Sequence, residues 1–583
     1  MIMEEPALQQ PASNTDAGAP HPAPSPRAKR RTALAILLFV SLYITYVATP
    51  TNGAGDTSAV IPIAISLALD GDMELSEFAE IECPPVIQRG PTRSYSFFPW
   101  GPGAAAAPIV GALSLLMHCG TVGEAIYELG FGPVLLDPDD GVDARATMLR
   151  DRNSIERAAA STCSTLALLF SWLLLRRWQG DAVAAGAVLV WAFGSWSWTV
   201  CSRAMWQHSP SIAFNAATLF LLSLPGASWR RSGLTGVLVG LGYVMRPTNA
   251  VVVLALTIFV AARRGGQLLP FLVGGALVGG VFFATNQSTY GEWLPEYFKA
   301  GRLDVGNASA GVLVDFLFSP ARGLFIYCPF LLLAPVALAM QLRRGGLCDI
   351  ACISWLIICG HILAVSCFDH WWGGHSWGPR LLSDLQPFLA VALIPTRLAA
   401  TPRRPARWFL LLAALLGSLS VVIQTRYFDP AAARWNADPI SVDLVPSRIG
   451  DWRDPPFLRG TPWDGRRELL MSAGDEIAFP KIGPLTALES SLPVPLPPGR
   501  HEVVLRVWGA PEADGLVTWE VLIADARGAR KAQPEKRTAW ERALPQDLTA
   551  SCTSTGSAQV FFKIRAEDGH PGFQLQVLVR RLK

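Results

Sequence analysis

The 583-residue chain is 51% hydrophobic, only 16% charged and rich in tryptophan, with 20 residues. This composition excludes an ordinary soluble domain, and a net charge of only +3, spread along the chain, excludes a nucleic-acid-binding surface. Ten cysteines lie scattered through apolar segments without a CxxC pair, so no disulfide framework or cysteine metal site is expected.

Residues 1–32 begin with a stretch rich in Pro, Ala, Ser and Gln that cannot bury a core, and read as a disordered cytoplasmic tail. Residues 33–50 are apolar and preceded by Arg27, Lys29, Arg30 and Arg31. Positive charge stays in the cytoplasm, so this helix runs outward. It is too long for a signal-peptide core and lacks a small-residue cleavage site, which makes it an uncleaved anchor. The chain then emerges in Asn52-Gly53-Ala54-Gly55-Asp56-Thr57. A carboxylate at this boundary is placed to act as a base on a lipid-linked substrate. Equally, Asp56 could cap the helix beginning near Thr57.

Further spans are expected near 156–175, 182–200, 210–225, 233–245, 248–262, 268–286, 322–341, 347–366, 381–396 and 406–424, about eleven crossings in all. The pairs Arg176-Arg177, Arg230-Arg231, Arg263-Arg264 and Arg343-Arg344, and the cluster Arg403-Arg404-Arg407, then all fall in the cytoplasm. Residues 101–119 are apolar, but a crossing there would turn every later basic pair outward. A re-entrant or interfacial helix is expected instead. Parity also splits 233–262 into two crossings with Arg246-Pro247 as the outer turn.

The expected domains are therefore a transmembrane unit over 33–424 with a large outer loop at 51–155, a linker at 425–465 and an extracytoplasmic domain at 466–583. The last reads as all-β, because runs at 501–508, 516–524, 559–565 and 573–579 partly alternate between Gly, Asp and Pro turns. A β-sandwich closes such strands. A structural cap is preferred over a carbohydrate-binding role for it.

Three arginines fall on the outer side, each beside a Gly or Pro break: Arg246 in Met-Arg-Pro-Thr-Asn, Arg322 in Phe-Ser-Pro-Ala-Arg-Gly-Leu, and Arg380 closing Asp369-His370-Trp371-Trp372-Gly373-Gly374-His375-Ser376-Trp377-Gly378-Pro379-Arg380. One such arginine reads best as snorkelling to headgroups. Three at one level fit a phosphate or pyrophosphate, since each planar fork offers paired donors. Trp372 and Trp377 offer faces for a sugar ring, and His375 a polar contact. His370 and His375 do not have zinc-pair spacing, so no metal is assigned. His208, in Trp206-Gln207-His208-Ser209-Pro210, either faces the same cavity or caps a helix.

These residues resemble the GT-C superfamily of polytopic glycosyltransferases, which includes protein O-mannosyltransferases and lipid A aminoarabinose transferases. The similarity is to its bacterial membrane glycosyltransferase-like members, which carry Gly-Asp-Thr after the first span. Shared elements are Phe98-Pro99-Trp100-Gly101-Pro102-Gly103, Trp206-Gln207-His208, Arg246-Pro247-Thr248, Ser319-Pro320-Ala321-Arg322-Gly323-Leu324 and the run from Trp372 to Arg380. The resemblance covers roughly residues 33–460 and leaves the β domain outside.

It implies a helical GT-C-like membrane fold at the bacterial inner membrane. It also implies inverting transfer of a hexosyl or pentosyl group from a polyprenyl-phosphate donor to a glycan, lipid or protein acceptor on the outer face. Asp56 matches the position of the family's acid. Better-studied relatives often carry two adjacent acids there, whereas Gly55 and Thr57 flank a single Asp here, which leaves Asp72 and Glu74 as secondary candidates. No cofactor is implied, and assistance by a divalent cation is left open. The competing expectations are a flippase for lipid-linked glycans and a non-catalytic scaffold.

Overall fold

In a bilayer, backbone polar groups must be satisfied within the protein, so long runs of Ala, Leu, Val and Ile become helices. A computed structural model of the chain describes residues 26–50, 55–78, 86–89, 93–137, 141–299, 303–343, 349–393, 403–437, 442–443 and 446–463. Beyond these it describes the strand segments between 476 and 581. Of the expected disordered tail at 1–32, residues 1–25 lie outside the described residues, as do 52–54 of the Asn52–Thr57 run, while residues 26–32 instead form the first turns of a helix.

The helices, in chain order, are α1 (Pro26–Ala48), α2 (Val60–Leu69), α3 (Gly101–Met117), α4 (Thr121–Gly130), α5 (Ala144–Arg150), α6 (Arg152–Gln179), α7 (Asp181–Gly194), α8 (His208–Ser223) and α9 (Trp229–Met245). Then follow α10 (Ala250–Arg263), α11 (Leu268–Tyr290), α12 (Ala310–Phe318), α13 (Leu324–Tyr327), α14 (Leu333–Leu342), α15 (Asp349–Ser366), α16 (Gln386–Leu393), α17 (Arg403–Thr425) and α18 (Pro430–Ala433). Among the described residues, five helical stretches are long and apolar enough to cross a membrane: Lys29–Ala48, Arg152–Gln179, Gly265–Tyr290, Asp349–Ser366 and Arg407–Phe428.

Other expected spans are shorter or interrupted. The run at 182–200 stops at Gly194, passes through an extended Ser195 and resumes as a wide turn, Ser197–Cys201. The run at 322–341 divides into α13, a 3-10 turn over Pro329–Leu332, and α14. The run at 381–396 opens as a 3-10 turn, Arg380–Leu385, before α16. Side chains from neighbouring elements serve the backbone at these breaks. Gln424 donates to Tyr327 O at 3.0 Å and the Trp196 indole donates to Ser383 O at 3.3 Å.

Two of the apolar cores among the described residues position the site. The larger unites α1, α6, α7, α8 and the later helices around Trp191, Trp196 and Phe388. The smaller is built by α2, α3, α4, α5 and the start of α6 around Ile63, Val110, Tyr127 and Met148. Met205 belongs to this second core although it follows α7 in the chain. The turn carrying Asp56 sits where the two cores meet.

The C-terminal strands form two five-stranded antiparallel sheets. One has β11 (Gly528–Trp540) at its edge, then β10 (Gly515–Asp525), β13 (Ala558–Ala566) and the short β7 (Ala487–Glu489), with β8 (Val494–Leu496) also on β13. The other runs from β12 (Pro545–Ser554) through β9 (Gly499–Gly509) and β14 (Phe573–Arg581) to β5 (Glu476–Ala478), with β6 (Ile482–Leu485) on β14. Two hairpin-like pairs, β1–β2 (Val86–Arg89 with Arg93–Ser96) and β3–β4 (Leu136–Asp137 with Gly141–Val142), lie between α2 and α5.

Candidate active site

Asp56 occupies a single 3-10 turn, Gly55–Thr57, closed by Ser58, whose amide and hydroxyl both donate to Gly55 O at 3.3 and 2.9 Å. The turn leaves the carboxylate 48% exposed, with Oδ2 3.0 Å from Nη1 of Arg380. Arg380 is only 13% exposed, and its guanidinium lies over the Trp206 ring, 5.2 Å from the centroid. Among the described residues its Nε has no hydrogen-bond partner. Asp56 and Arg380 are 324 residues apart in the chain.

The loop that delivers Arg380 is shaped by glycine. Gly373, Gly374 and Gly378 have φ of 73°, 65° and 63°, which side-chain-bearing residues rarely adopt. A methyl group at Gly378 would lie 2.8 Å from the Tyr327 ring. The Trp/Gly/His run thus folds tightly against α13 and presents Arg380 at the start of its 3-10 turn.

The Asp56–Arg380 pair stands between two spaces. On one side is a cavity of about 520 Å³ lined by Asp56, Trp206, His375, Trp377, Arg380 and Arg434, among others. On the other is a cleft of about 40 Å³ bordered by Asp56, Trp206, His208, Arg246, Tyr297 and Arg380. The cleft has room for no more than a few waters, whereas the cavity can hold a sugar ring.

The three arginines separate in role. Arg246 and His208 share the buried carboxylate of Asp384: its Oδ2 is 3.2 Å from Arg246 Nε and 3.1 Å from His208 Nδ1. Arg246 also donates to the Thr248 hydroxyl at 2.7 Å. Arg322 is 1% exposed, and all three of its guanidinium nitrogens are committed. They donate to the carbonyls of Trp372, Ala321 and Gly374, each at 2.8 Å, and to Asn436 Oδ1 at 2.7 Å. Expected as a phosphate ligand, Arg322 instead clamps the loop that carries Arg380.

The remaining candidates divide as well. His375 and Trp377 line the larger cavity. Trp372 stands behind the wall, its indole donating to Asp443 Oδ1 at 2.7 Å, and Asp443 Oδ2 lies 3.6 Å from His375 Nε2. Asp72 and Glu74 lie beyond the far end of α2, separated from Asp56 by its ten residues, about 15 Å of helix. Asp72 accepts from Ser66 Oγ at 2.7 Å and Glu74 from Ser76 Oγ at 2.8 Å, so both serve the local turn. Nearby, Arg145 holds Asp70 and Glu77 at 2.6 and 3.2 Å. Burial raises the Glu77 carboxyl above its usual range, an effect that Arg145 opposes.

Sequence reasoning missed several residues. Asp384 hides in an apolar run, yet a lone acid at membrane depth is itself a signal. Glu156 is another, buried one turn into α6. Arg434, Asn436 and Asp443 belong to the segment expected as a linker, which instead folds against the cavity and forms part of its wall. That segment is held by Arg459 to Asp454 at 2.6 and 2.7 Å and by Arg448 stacked 4.4 Å from the Trp435 ring centroid. Among the described residues, no group of three or more His, Cys, Asp or Glu side chains is placed to hold a metal.

Residues 149–287, from the end of α5 through most of α11, match the family described as dolichyl-phosphate-mannose-protein mannosyltransferase. This supports a GT-C superfamily glycosyltransferase. It bears out the resemblance drawn from the motifs, and the matched segment contains Glu156, Trp206, His208 and Arg246. Two crystal structures of ArnT from Cupriavidus metallidurans are similar at 14% identity, each over 70% of this chain and 69% of the other. The one bound to undecaprenyl phosphate gives a TM-score of 0.41 and the apo form 0.42. No curated protein matches the chain.

Proposed function

We propose that this protein transfers a sugar from a polyprenyl-phosphate donor to an acceptor hydroxyl at the outer face of the bacterial inner membrane, with inversion. The observation that carries this reading is the Asp56–Arg380 pair on the wall common to both spaces. A base and a phosphate ligand in contact are the two groups a transfer from a phosphodiester needs.

In the proposed reaction the donor phosphate takes up Arg380, whose Nε is without a partner among the described residues, and so loosens Asp56 from its resting partner. Asp56 then accepts the hydroxyl proton as the acceptor oxygen attacks the anomeric carbon. The bond from that carbon to the phosphate oxygen breaks with its electron pair, and the phosphate leaves with one more negative charge than it had. Arg380 stabilises that charge, and Arg246, held by Asp384, supports it from the cleft. The sugar ring rests in the larger cavity against Trp206 and Trp377, with His375 on the same wall. The reading includes about eleven crossings, a cytoplasmic N-terminus and a C-terminal pair of sheets closed as an extracytoplasmic sandwich.

The test uses purified protein in phosphatidylethanolamine–phosphatidylglycerol vesicles, with labelled polyprenyl-phosphoryl mannose as donor and an envelope extract as acceptor. Asp56→Asn is expected to lower transfer by about 100- to 10,000-fold, the range of general-base catalysis. Transfer at the wild-type rate would remove Asp56 from the mechanism. Movement of intact donor across the vesicle membrane, undiminished by the substitution, would point to a flippase.

A further inference from the structure

Glu156 is a carboxylate where an apolar residue would cost less. It is 8% exposed and surrounded by Ile155, Ala159 and Ala160 of the second core. A buried acid of this kind is retained only if its partners repay the loss of water. Its Oε1 accepts the Met205 backbone N–H at 2.8 Å, and the buried Thr57 side chain hydrogen-bonds to the same carboxylate.

The chain positions of these partners give the contact its meaning. Thr57 follows Asp56, and Met205 precedes Trp206, the ring on which Arg380 lies. Glu156 therefore ties the turn bearing the base to the turn bearing that ring, and the Asp56–Arg380 pair closes the circuit. A second bond set acts alongside: Arg203, also in the turn before α8, donates to the carbonyls of Tyr46, Thr49 and Pro50 at the end of α1. A cation at a helix C-terminus is favourable in its own right. The turn after α7 is thus bonded directly to the chain before residue 51 and, through Glu156, to Thr57.

We infer that Glu156 is a positioning residue that fixes the Asp56 carboxylate relative to Arg380 and Trp206 without touching substrate. The inference rests on the reading of Asp56 as base. It also explains the Thr of Gly-Asp-Thr, whose hydroxyl serves Glu156 and not the ligand.

The vesicle assay with labelled polyprenyl-phosphoryl mannose tests it through four variants: Glu156→Ala, Glu156→Gln, Thr57→Val and the Glu156→Ala/Thr57→Val double. Misplacing a reacting group by about 1 Å costs on the order of 100-fold, so Glu156→Ala and Thr57→Val are expected to lower kcat by about tenfold or more. The donor KM should stay within about twofold, because Arg380 still meets the phosphate. Gln can accept from Met205 and donate to Thr57, so Glu156→Gln should recover to within about threefold of wild type. The double variant should fall no lower than Glu156→Ala alone, since both changes remove one tie.

A merely structural role would reduce the yield of folded protein while leaving kcat per folded molecule unchanged. Thr57→Val, nearly isosteric, covers the case in which Glu156→Ala does not fold. Wild-type kcat in Thr57→Val, with Asp56→Asn inactive, would overturn the role of Glu156 and leave the base assignment standing. Wild-type kcat in Asp56→Asn would instead overturn the base assignment, and this inference with it.

Discussion

Arg322 and Arg380 look alike in the sequence, each at a Gly/Pro break near the mouth of a predicted span, yet they occupy opposite environments. Arg322 spends its guanidinium on three carbonyls and an amide oxygen. Removing it strands buried acceptors, each worth about 1–3 kcal/mol when left unpaired. Arg322→Gln should therefore lower the melting temperature and the yield of folded protein. Arg380→Lys keeps a charge beside Asp56 but loses the planar fork that stacks on Trp206. The expected result is a near-native melting temperature with transfer reduced about 10- to 100-fold, mainly in kcat. Thermal unfolding and vesicle kinetics on both variants separate the two roles, and equal effects on both readouts would sink the distinction. The motifs revealed that these arginines matter. They could not reveal which one faces a ligand, because the answer depends on partners supplied from afar, Asn436 to Arg322 and Asp384 to Arg246.

At the level of elements, hydropathy located helices but not how closely they approach. Gly236 on α9 and Gly274 on α11 place backbone against backbone: a Cβ on Gly236 would fall 1.9 Å from Phe271 O, and one on Gly274 would fall 2.1 Å from Gly233 O. Small residues at such contacts are what allow helices to associate in lipid, where apolar burial gives no preference. Gly236→Ala or Gly274→Ala must push α9 and α11 apart, at a cost of about 1–3 kcal/mol for overpacking. Gly280, on α11 with open space around it, is the control: Gly280→Ala should leave the melting temperature unchanged or slightly higher. Equal destabilisation by all three would show that the close approach of α9 and α11 is not the cause. A related limit explains the strands that were missed. β11 and β12 are both outer strands of their sheets, and β11 carries Arg530, Lys531, Pro534, Glu535, Lys536 and Arg537. Edge strands favour charge and tolerate proline, which erases the alternation by which inner strands such as β9 and β14 are recognised.

For the whole molecule, the proposed orientation rests on charge placement, and it turns on one helix. α6 is central, with 61% of its apolar window buried, while the windows of α1, α11 and α17 are only 17% buried and face outward. Whether α3 crosses decides the side of everything after it. Its 17 residues span about 25 Å, short of the roughly 30 Å hydrocarbon core, and it carries Pro108. It also packs sideways: a Cβ on Gly103 would meet the Ile63 side chain of α2 at 2.5 Å, and one on Gly101 would meet Val244 O of α9 at 2.7 Å. An interfacial helix fits these contacts. Cys119, two residues past its end and exposed, reports the outcome directly. In right-side-out vesicles a membrane-impermeant maleimide should label, without permeabilisation, a variant that keeps Cys119 and carries Ala at the other nine cysteines. Labelling of Cys119 only after permeabilisation would make α3 a crossing. Arg380 would then lie on the cytoplasmic side, with no outer-face donor to meet.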